Sequence, residues 1–235
     1  MATIYLIRHG QASFGSANYD QLSELGVRQA DATGEYLARL DISLDAAYSG
    51  DLSRQVETCE RVLASQSGAV PHQIDAAFNE LNNDEQVRAL APVLAEADPQ
   101  LAALLQRGLS SSKDYQKVIR AVFNHWVTQD CSQYDIQSWQ DYQGRAVAAL
   151  EAVMQAQGAG KTVGIFTSGG TIATLVAHVL GLASEKVYSF YEPIFNCSVT
   201  QLFYSRDNVS LSYFNDRSFL QLMSLERGEN LVTYR

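Results

Sequence analysis

The sequence predicts an α/β fold, three-layered as α/β/α, with a mostly parallel mixed sheet and a helical insertion that caps it. Three observations carry this prediction. Residues 2–7 (ATIYLI) form a short β-rich run that ends at once in a charged, glycine-containing turn, the pattern of a buried parallel strand. Residues 162–167 (TVGIFT) repeat the pattern more clearly and pass through Ser168-Gly169-Gly170 into an apolar helical stretch. Between these ends, residues from about 84 to 157 are nearly all helix-like, so one sheet with a helical excursion over it accounts for the chain.

The elements follow in order. After the first strand, residues 23–40 read as a helix with Ser23 as N-cap and Leu25, Ala30, Gly34, Leu37 and Leu40 near one face. A second strand is expected near 45–49. A helix from about Leu52 to Ser65 follows, with Val56, Cys59 and Leu63 inward. A weak strand near 72–75 runs into a loop that carries Glu80. Asp98-Pro99 reads as an N-cap with a first-turn proline, and Gly108 with Ser110-Ser111-Ser112 marks a break. Further helices are expected over 113–128 and 138–157, and an apolar helix over Thr171–Gly181. Strands near 197–205 and 209–215 are joined by a polar cluster, Ser205-Arg206-Asp207-Asn208, suited to a hairpin turn. Residues 1–235 therefore read as one domain with a helical cap over about 84–145.

Composition narrows the function classes. The 235 residues carry 17 Lys and Arg against 26 Asp and Glu, a net charge of −9. No basic stripe is present, which argues against nucleic acid as a partner. A pocket with two or three arginines can still be locally positive and take a small phosphorylated substrate. Cys59, Cys131 and Cys197 are far apart and odd in number, and no metal-ligand spacing occurs. The reading is a cytoplasmic protein, with no membrane segment, no metal and no cofactor; its oligomeric state is not legible.

Four places along the chain carry candidate chemistry. Arg8-His9-Gly10 sits at the carboxyl end of the first strand, where open α/β sheets bind ligands. Neutral imidazole is a competent nucleophile near pH 7, and the neighbouring guanidinium both favours that form and offers a planar fork to phosphoryl oxygens. Read alone, the triplet equally describes a surface arginine and a hydrogen-bonded strand-end histidine. Arg54 falls in the first turn of the second helix, where the helix dipole does not favour a cation. It faces either a ligand or Glu57. Glu80 is a lone loop carboxylate, and Thr167-Ser168-Gly169-Gly170 is either an anion cradle of backbone N–H groups or a tight turn.

Taken together, these segments resemble the histidine phosphatase superfamily, the phosphoglycerate-mutase-like fold. Leu6-Ile7-Arg8-His9-Gly10 looks like its signature. Residues 22–30 (LSELGVRQA) are similar to its L-[ST]-x-x-G-x-x-Q-A stretch. Ser49–Thr58 looks like its S-x-x-L-x-R-A-x-Q-T run, with Gln55 and Glu57 in place of the usual Ala and Gln. Residues 196–200 (NCSVT) match its late strand. The resemblance implies one antiparallel strand in the sheet. It also implies a metal-independent phosphatase in which His9 attacks phosphorus to form a phosphohistidine. Arg8 and Arg54 would hold the phosphoryl oxygens, and Glu80 would carry the proton to the leaving oxygen and later activate water. Read from the residues themselves, the Gly169 amide is a further phosphate contact, and Ser13, Ser16 and Asn18 offer hydroxyl or amide donors to a substrate.

One departure matters. Where the family has a second histidine, this chain has Ser168. The loss of one phosphoryl donor elsewhere costs roughly 10²–10³ in rate. Reduced or specialised activity follows, with a silent phospho-ligand-binding or scaffold protein as the alternative. Restoring histidine at position 168 is expected to raise the rate if there is room beside Gly169. His178, in an apolar stretch, reads as a packed core residue. A mutase is the further alternative, but the Gln11–Gln21 interval is only eleven residues long and lacks a Gly-Trp element. Substrate choice is expected to lie in the cap, where Tyr115, Trp126, Tyr134 or Trp139 line the entrance or pack the cap's own core.

Overall fold

The computed structural model describes residues 1–13, 20–206 and 208–234. Its order begins β1 (Ala2–Arg8), α1 (Glu24–Arg39), β2 (Ala46–Ser49), α2 (Ser53–Leu63) and β3 (His72–Ile74). Four helices follow: α3 (Asn83–Ala97), α4 (Pro99–Arg107), α5 (Ser112–Thr128) and α6 (Trp139–Gln157). The chain returns to the sheet in β4 (Thr162–Thr167), then α7 (Gly169–Val179), α8 (Val187–Tyr191), β5 (Val199–Ser205), β6 (Asn208–Asp216) and α9 (Ser218–Arg227).

The strands form one six-stranded sheet in the order β3-β2-β4-β1-β5-β6. β3, β2, β4 and β1 are mutually parallel, and β5 alone runs against its neighbours β1 and β6. The fold class is therefore the expected one. Side chains alternate between two cores because successive strand residues face opposite ways. Ile4 and Leu6 join Val163 and Ile165 on one face, while Tyr5 and Ile7 join Phe166 and Val199 on the other. The first face is covered by the helical middle: Leu90, Phe123, Trp126, Trp139 and Tyr142 share a single buried cluster with the strand residues. The second is covered by α1, α2 and α9, through Ala30, Leu37, Cys59, Val62 and Phe219. Three layers result. Trp126 and Trp139 are only 2% exposed. Full burial of an aromatic side chain contributes about 1.5–3 kcal/mol.

Local signals held where a cap or a turn sets the boundary. Ser23 accepts from the Gly26 N–H, and Asp98 accepts from Gln100 and Leu101 ahead of Pro99. Ser111 caps α5 after the break at Gly108. Three expectations need correction. Leu40 lies beyond the last turn of α1 and is 52% exposed. On α2 the buried face is Gln55, Thr58, Cys59 and Val62, with Val56 and Leu63 only half-buried. The face is rotated because the helix start packs against the strand ends rather than over the sheet's centre. His178 is exposed: α7 is enclosed through Ala177, but its last turn emerges from the core.

Candidate functional site

Parallel pairing aligns the carboxyl ends of three strands. Arg8 of β1 is level with Thr167 of β4, and Ser49 of β2 with Phe166. The segments that follow these strands therefore start side by side. His9 continues the ladder by donating its N–H to Thr167 O at 2.8 Å. Gly10 lies against α1 so closely that a Cβ there would sit 2.5 Å from Gly26 O. Only glycine fits at that contact. Gly10 N–H donates to Thr58 Oγ1 at 3.0 Å, and Thr58 donates to Arg54 O, which ties the His9 loop to the first turns of α2.

His9 is buried at 6% exposure. Its Nδ1 donates to Gly10 O at 2.7 Å, and its Nε2 accepts from Arg54 Nε at 3.1 Å. Those two bonds demand the Nδ1–H tautomer and leave the lone pair on Nε2. Burial, then the charges of Arg54 and Arg8, hold the imidazole well below its usual pKa of 6.5. It is therefore neutral at pH 7.

The cation at the start of α2 has a local remedy that the sequence does not reveal. Asp20 accepts from Ser53 N–H at 2.7 Å and from Arg54 at 2.5 Å. Leu52, the N-cap residue, makes no side-chain cap bond, so Asp20 serves the free N–H and fixes the guanidinium together. Glu57 pairs with Arg61 instead. Arg8 is held by the carbonyls of Ile194 and of Tyr234, the latter at 3.0 Å.

Glu80 reaches the same place from the β3 side. Asn79 and Asp51 exchange two hydrogen bonds, 2.9 and 2.6 Å, which fasten this loop to the one after β2. The Glu80 carboxyl then accepts Gly170 N–H at 3.2 Å and Leu81 N–H at 3.1 Å. Burial raises its pKa above 4.5, against the opposing pull of those bonds and of Arg54 and Arg8. A Cβ at position 170 would lie 2.2 Å from Glu80 Oε1, so the approach requires glycine. Tyr142 and Tyr191 stand near this carboxyl, and burial and its charge raise both phenol pKa values.

Ser168 is fully buried and is the N-cap residue of α7, yet it makes no capping bond. Its Oγ accepts from Gln55 Nε2 at 2.8 Å. A Cβ at Gly169 would meet the Tyr191 ring at 3.3 Å and Arg8 Nε at 3.7 Å. His9, Arg8, Arg54, Glu80, Ser168 and Gly169 thus come together at the strand ends. Ser13 donates its hydroxyl to Leu22 O at 2.9 Å, as a fastening of its own loop. Ser16 lies outside the described residues, as does Asn18. Asp20, Gln55, Tyr142 and Tyr191 join the site without having been foreseen. Gln55 alone had left a trace, as a departure from the family pattern. Among the described residues no group of three or more His, Cys, Asp or Glu side chains could hold a metal, and no helix is long and apolar enough to cross a membrane.

Residues 4–102 and 105–217 match the model of the histidine phosphatase superfamily (branch 1). A 2,3-bisphosphoglycerate-dependent phosphoglycerate mutase of Allorhizobium ampelinum is 37% identical over 86 residues, which are 33% of this chain and 40% of that protein. The chain thus spans well under half the length of that curated relative in the match. Among solved structures, phosphoglycerate mutase from Bacillus anthracis superposes with a TM-score of 0.66 at 23% identity, over 93% of this chain and 94% of that one. A phosphoserine phosphatase variant from Entamoeba histolytica, in complex with phosphoserine, does so with a TM-score of 0.65 at 16% identity, over 94% and 100%. At these identities the two structures establish the fold alone.

Proposed function

The chain belongs to the histidine phosphatase superfamily (branch 1), and from that membership we propose that it hydrolyses a small phosphomonoester through a phosphohistidine at His9. The observation that carries this reading is the state of His9: neutral, with its Nε2 lone pair directed at the Arg54 guanidinium. A phosphoryl group entering between them meets a nucleophile and a cation at once.

In the first step His9 Nε2 attacks phosphorus in line. The N–P bond forms and the P–O bond to the alcohol breaks. Glu80, whose raised pKa favours the proton-bearing form, donates that proton to the leaving oxygen. In the second step a water gives a proton to the Glu80 carboxylate and attacks phosphorus. The N–P bond breaks, phosphate leaves, and His9 and Glu80 return to their starting states. Charge on the equatorial oxygens is met by Arg8, by Arg54 and by the amino end of α7. These fixed charges supply what a metal would otherwise provide, so activity is expected to survive a chelator.

Selection of the substrate falls to the helical middle, about residues 84–145, which acts as a cap. What supports this is contact with the site: Tyr142 shares a hydrogen bond with Thr171 at 2.9 Å, and at the cap's edge Asn83, the first residue of α3, donates to the hydroxyl of Tyr191, whose ring borders Gly169. Trp126 and Trp139 are buried, whereas Tyr115 is exposed and Tyr134 half-buried, which favours the two tyrosines over the tryptophans as side chains that meet a ligand. A mutase reading is supported by the matching stretch of the Allorhizobium ampelinum enzyme. The experiment is a panel of phosphorylated metabolites and phosphopeptides assayed for released phosphate, with 3-phosphoglycerate plus 2,3-bisphosphoglycerate assayed for isomerisation, and His9→Ala as control. Phosphate release that His9→Ala abolishes supports the phosphatase. Isomerisation without net release supports the mutase. Ligand binding with neither reaction supports a silent binding protein.

A further inference from the structure

Ser168 and Gln55 form a pair whose geometry is unusual for each residue. An N-cap serine ordinarily spends its oxygen on the N–H two or three residues ahead. Here the Gly170 N–H goes to Glu80 instead, and Ser168 Oγ turns to Gln55 Nε2. Gln55 Nε2 also donates to Phe78 O at 3.3 Å. In this orientation both amide hydrogens are committed and Ser168 Oγ is an acceptor in this bond; Phe78 O also accepts from Thr167 Oγ1, and Gln55 Oε1 is buried with no partner among the described residues. Among the described residues the Ser168 hydroxyl makes no other hydrogen bond. Its proton is left without an acceptor, fully buried, at the amino end of α7 next to Gly169, which itself faces Arg8 Nε.

We propose that Gln55 is a positioning residue that fixes Ser168 Oγ as an acceptor, so that the Ser168 O–H donates to the transferring phosphoryl group. This rests on the phosphatase reading above. On this account Ser168 is a working donor rather than a deficiency. It also changes the expectation for an imidazole at position 168. The Gln55 amide lies 2.8 Å from Oγ and the Tyr191 ring closes the far side of Gly169, so Ser168→His alone has no room. Removal of the Gln55 side chain provides it.

The test is a double-mutant cycle on wild type, Gln55→Met, Ser168→Ala and the pair, with a small aryl phosphate, reading kcat and KM separately, and with orthovanadate affinity measured on each. Loss of one phosphoryl donor lowers kcat by on the order of 10²-fold. Ser168→Ala is expected to show that loss, and Gln55→Met a loss of about tenfold or more in kcat with little change in KM. The double variant should be no slower than Ser168→Ala, and vanadate affinity should fall in parallel with kcat. Gln55→Ala combined with Ser168→His should be faster than either of its single variants, an outcome that a misfolded protein cannot produce. Losses that multiply independently, or a Gln55→Met enzyme with wild-type kcat, would overturn the pairing while leaving the phosphatase reading intact. A wild-type protein that neither turns over any phosphomonoester nor binds vanadate would overturn both.

Discussion

Gly170→Ala separates the chemistry of this site from its folding. A Cβ at position 170 would lie 2.2 Å from Glu80 Oε1 and 2.5 Å from Leu81 Cδ2. Both atoms are the far ends of flexible side chains, so the backbone can stay where it is while they retreat. Ordinary contact begins at 3.4 Å, which requires Oε1 to move by about 1.2 Å. The move breaks or lengthens the bond that Oε1 accepts from Leu81 N–H, now 3.1 Å, and carries Oε2 away from Gly170 N–H, now 3.2 Å. A displacement of about 1 Å at a catalytic group can cost 10²-fold in rate, and a general acid contributes roughly 10²–10⁴. The expected kcat is therefore down by about 10²-fold, on alkyl phosphates more than on aryl ones, whose leaving oxygens need less protonation. The chain should still fold, with a net loss of no more than about 2 kcal/mol. The crowding costs about 1–3 kcal/mol, and alanine in place of glycine in a helix returns about 1 kcal/mol. For a chain of this size that is a fall in Tm of no more than about 8 °C. Steady-state kinetics beside a thermal melt would read both numbers. A folded Gly170→Ala enzyme with kcat within a few-fold of wild type on an alkyl phosphate would refute the role given to the Glu80 carboxyl.

Other expectations follow from the same contacts. The rate should rise with pH as His9 loses its proton, below 6.5 because its pKa is depressed, and fall as Glu80 loses its own, above 4.5 because its pKa is raised; Glu80→Gln should remove the alkaline limb and keep the acid one. Asp20→Asn weakens the anchor of Arg54 and should raise KM about tenfold with a smaller effect on kcat; unchanged kinetics would show that the guanidinium is held without it. Gln29→Leu removes bonds to Gln11 N–H, Leu231 O and Thr233 Oγ1. Each bond contributes about 0.5–1.5 kcal/mol, so chemical denaturation should register a loss of about 2 kcal/mol or more.

Strand positions and helix caps were legible because their signals are local. A buried run that ends in a turn, a serine before a helix, and a proline after an aspartate each act within a few residues. Six candidate residues came together because their segments leave adjacent strand ends. What escaped depends on the tertiary fold. Asp20 meets Arg54 from 34 residues away, and no spacing announces that bond. The pairing of Gln55 with Ser168 spans 113 residues. α9 was missed because its apolar residues lie on both faces: Phe219, Leu220 and Met223 are buried, while Leu222 and Leu225 are exposed. His178 is exposed although its helix is apolar, because the last turn of α7 leaves the core, and apolar composition does not show where a helix emerges.

Transfer of the phosphoryl group through His9 is checked by rapid acid-free denaturation during turnover, followed by mass spectrometry of the peptide that contains His9. The expected result is a phosphoryl adduct on His9 that is acid-labile, forms at least as fast as phosphate is released, and is absent from His9→Ala. Turnover at full rate with no adduct on His9, or an adduct on another residue, would rule out His9 as the carrier.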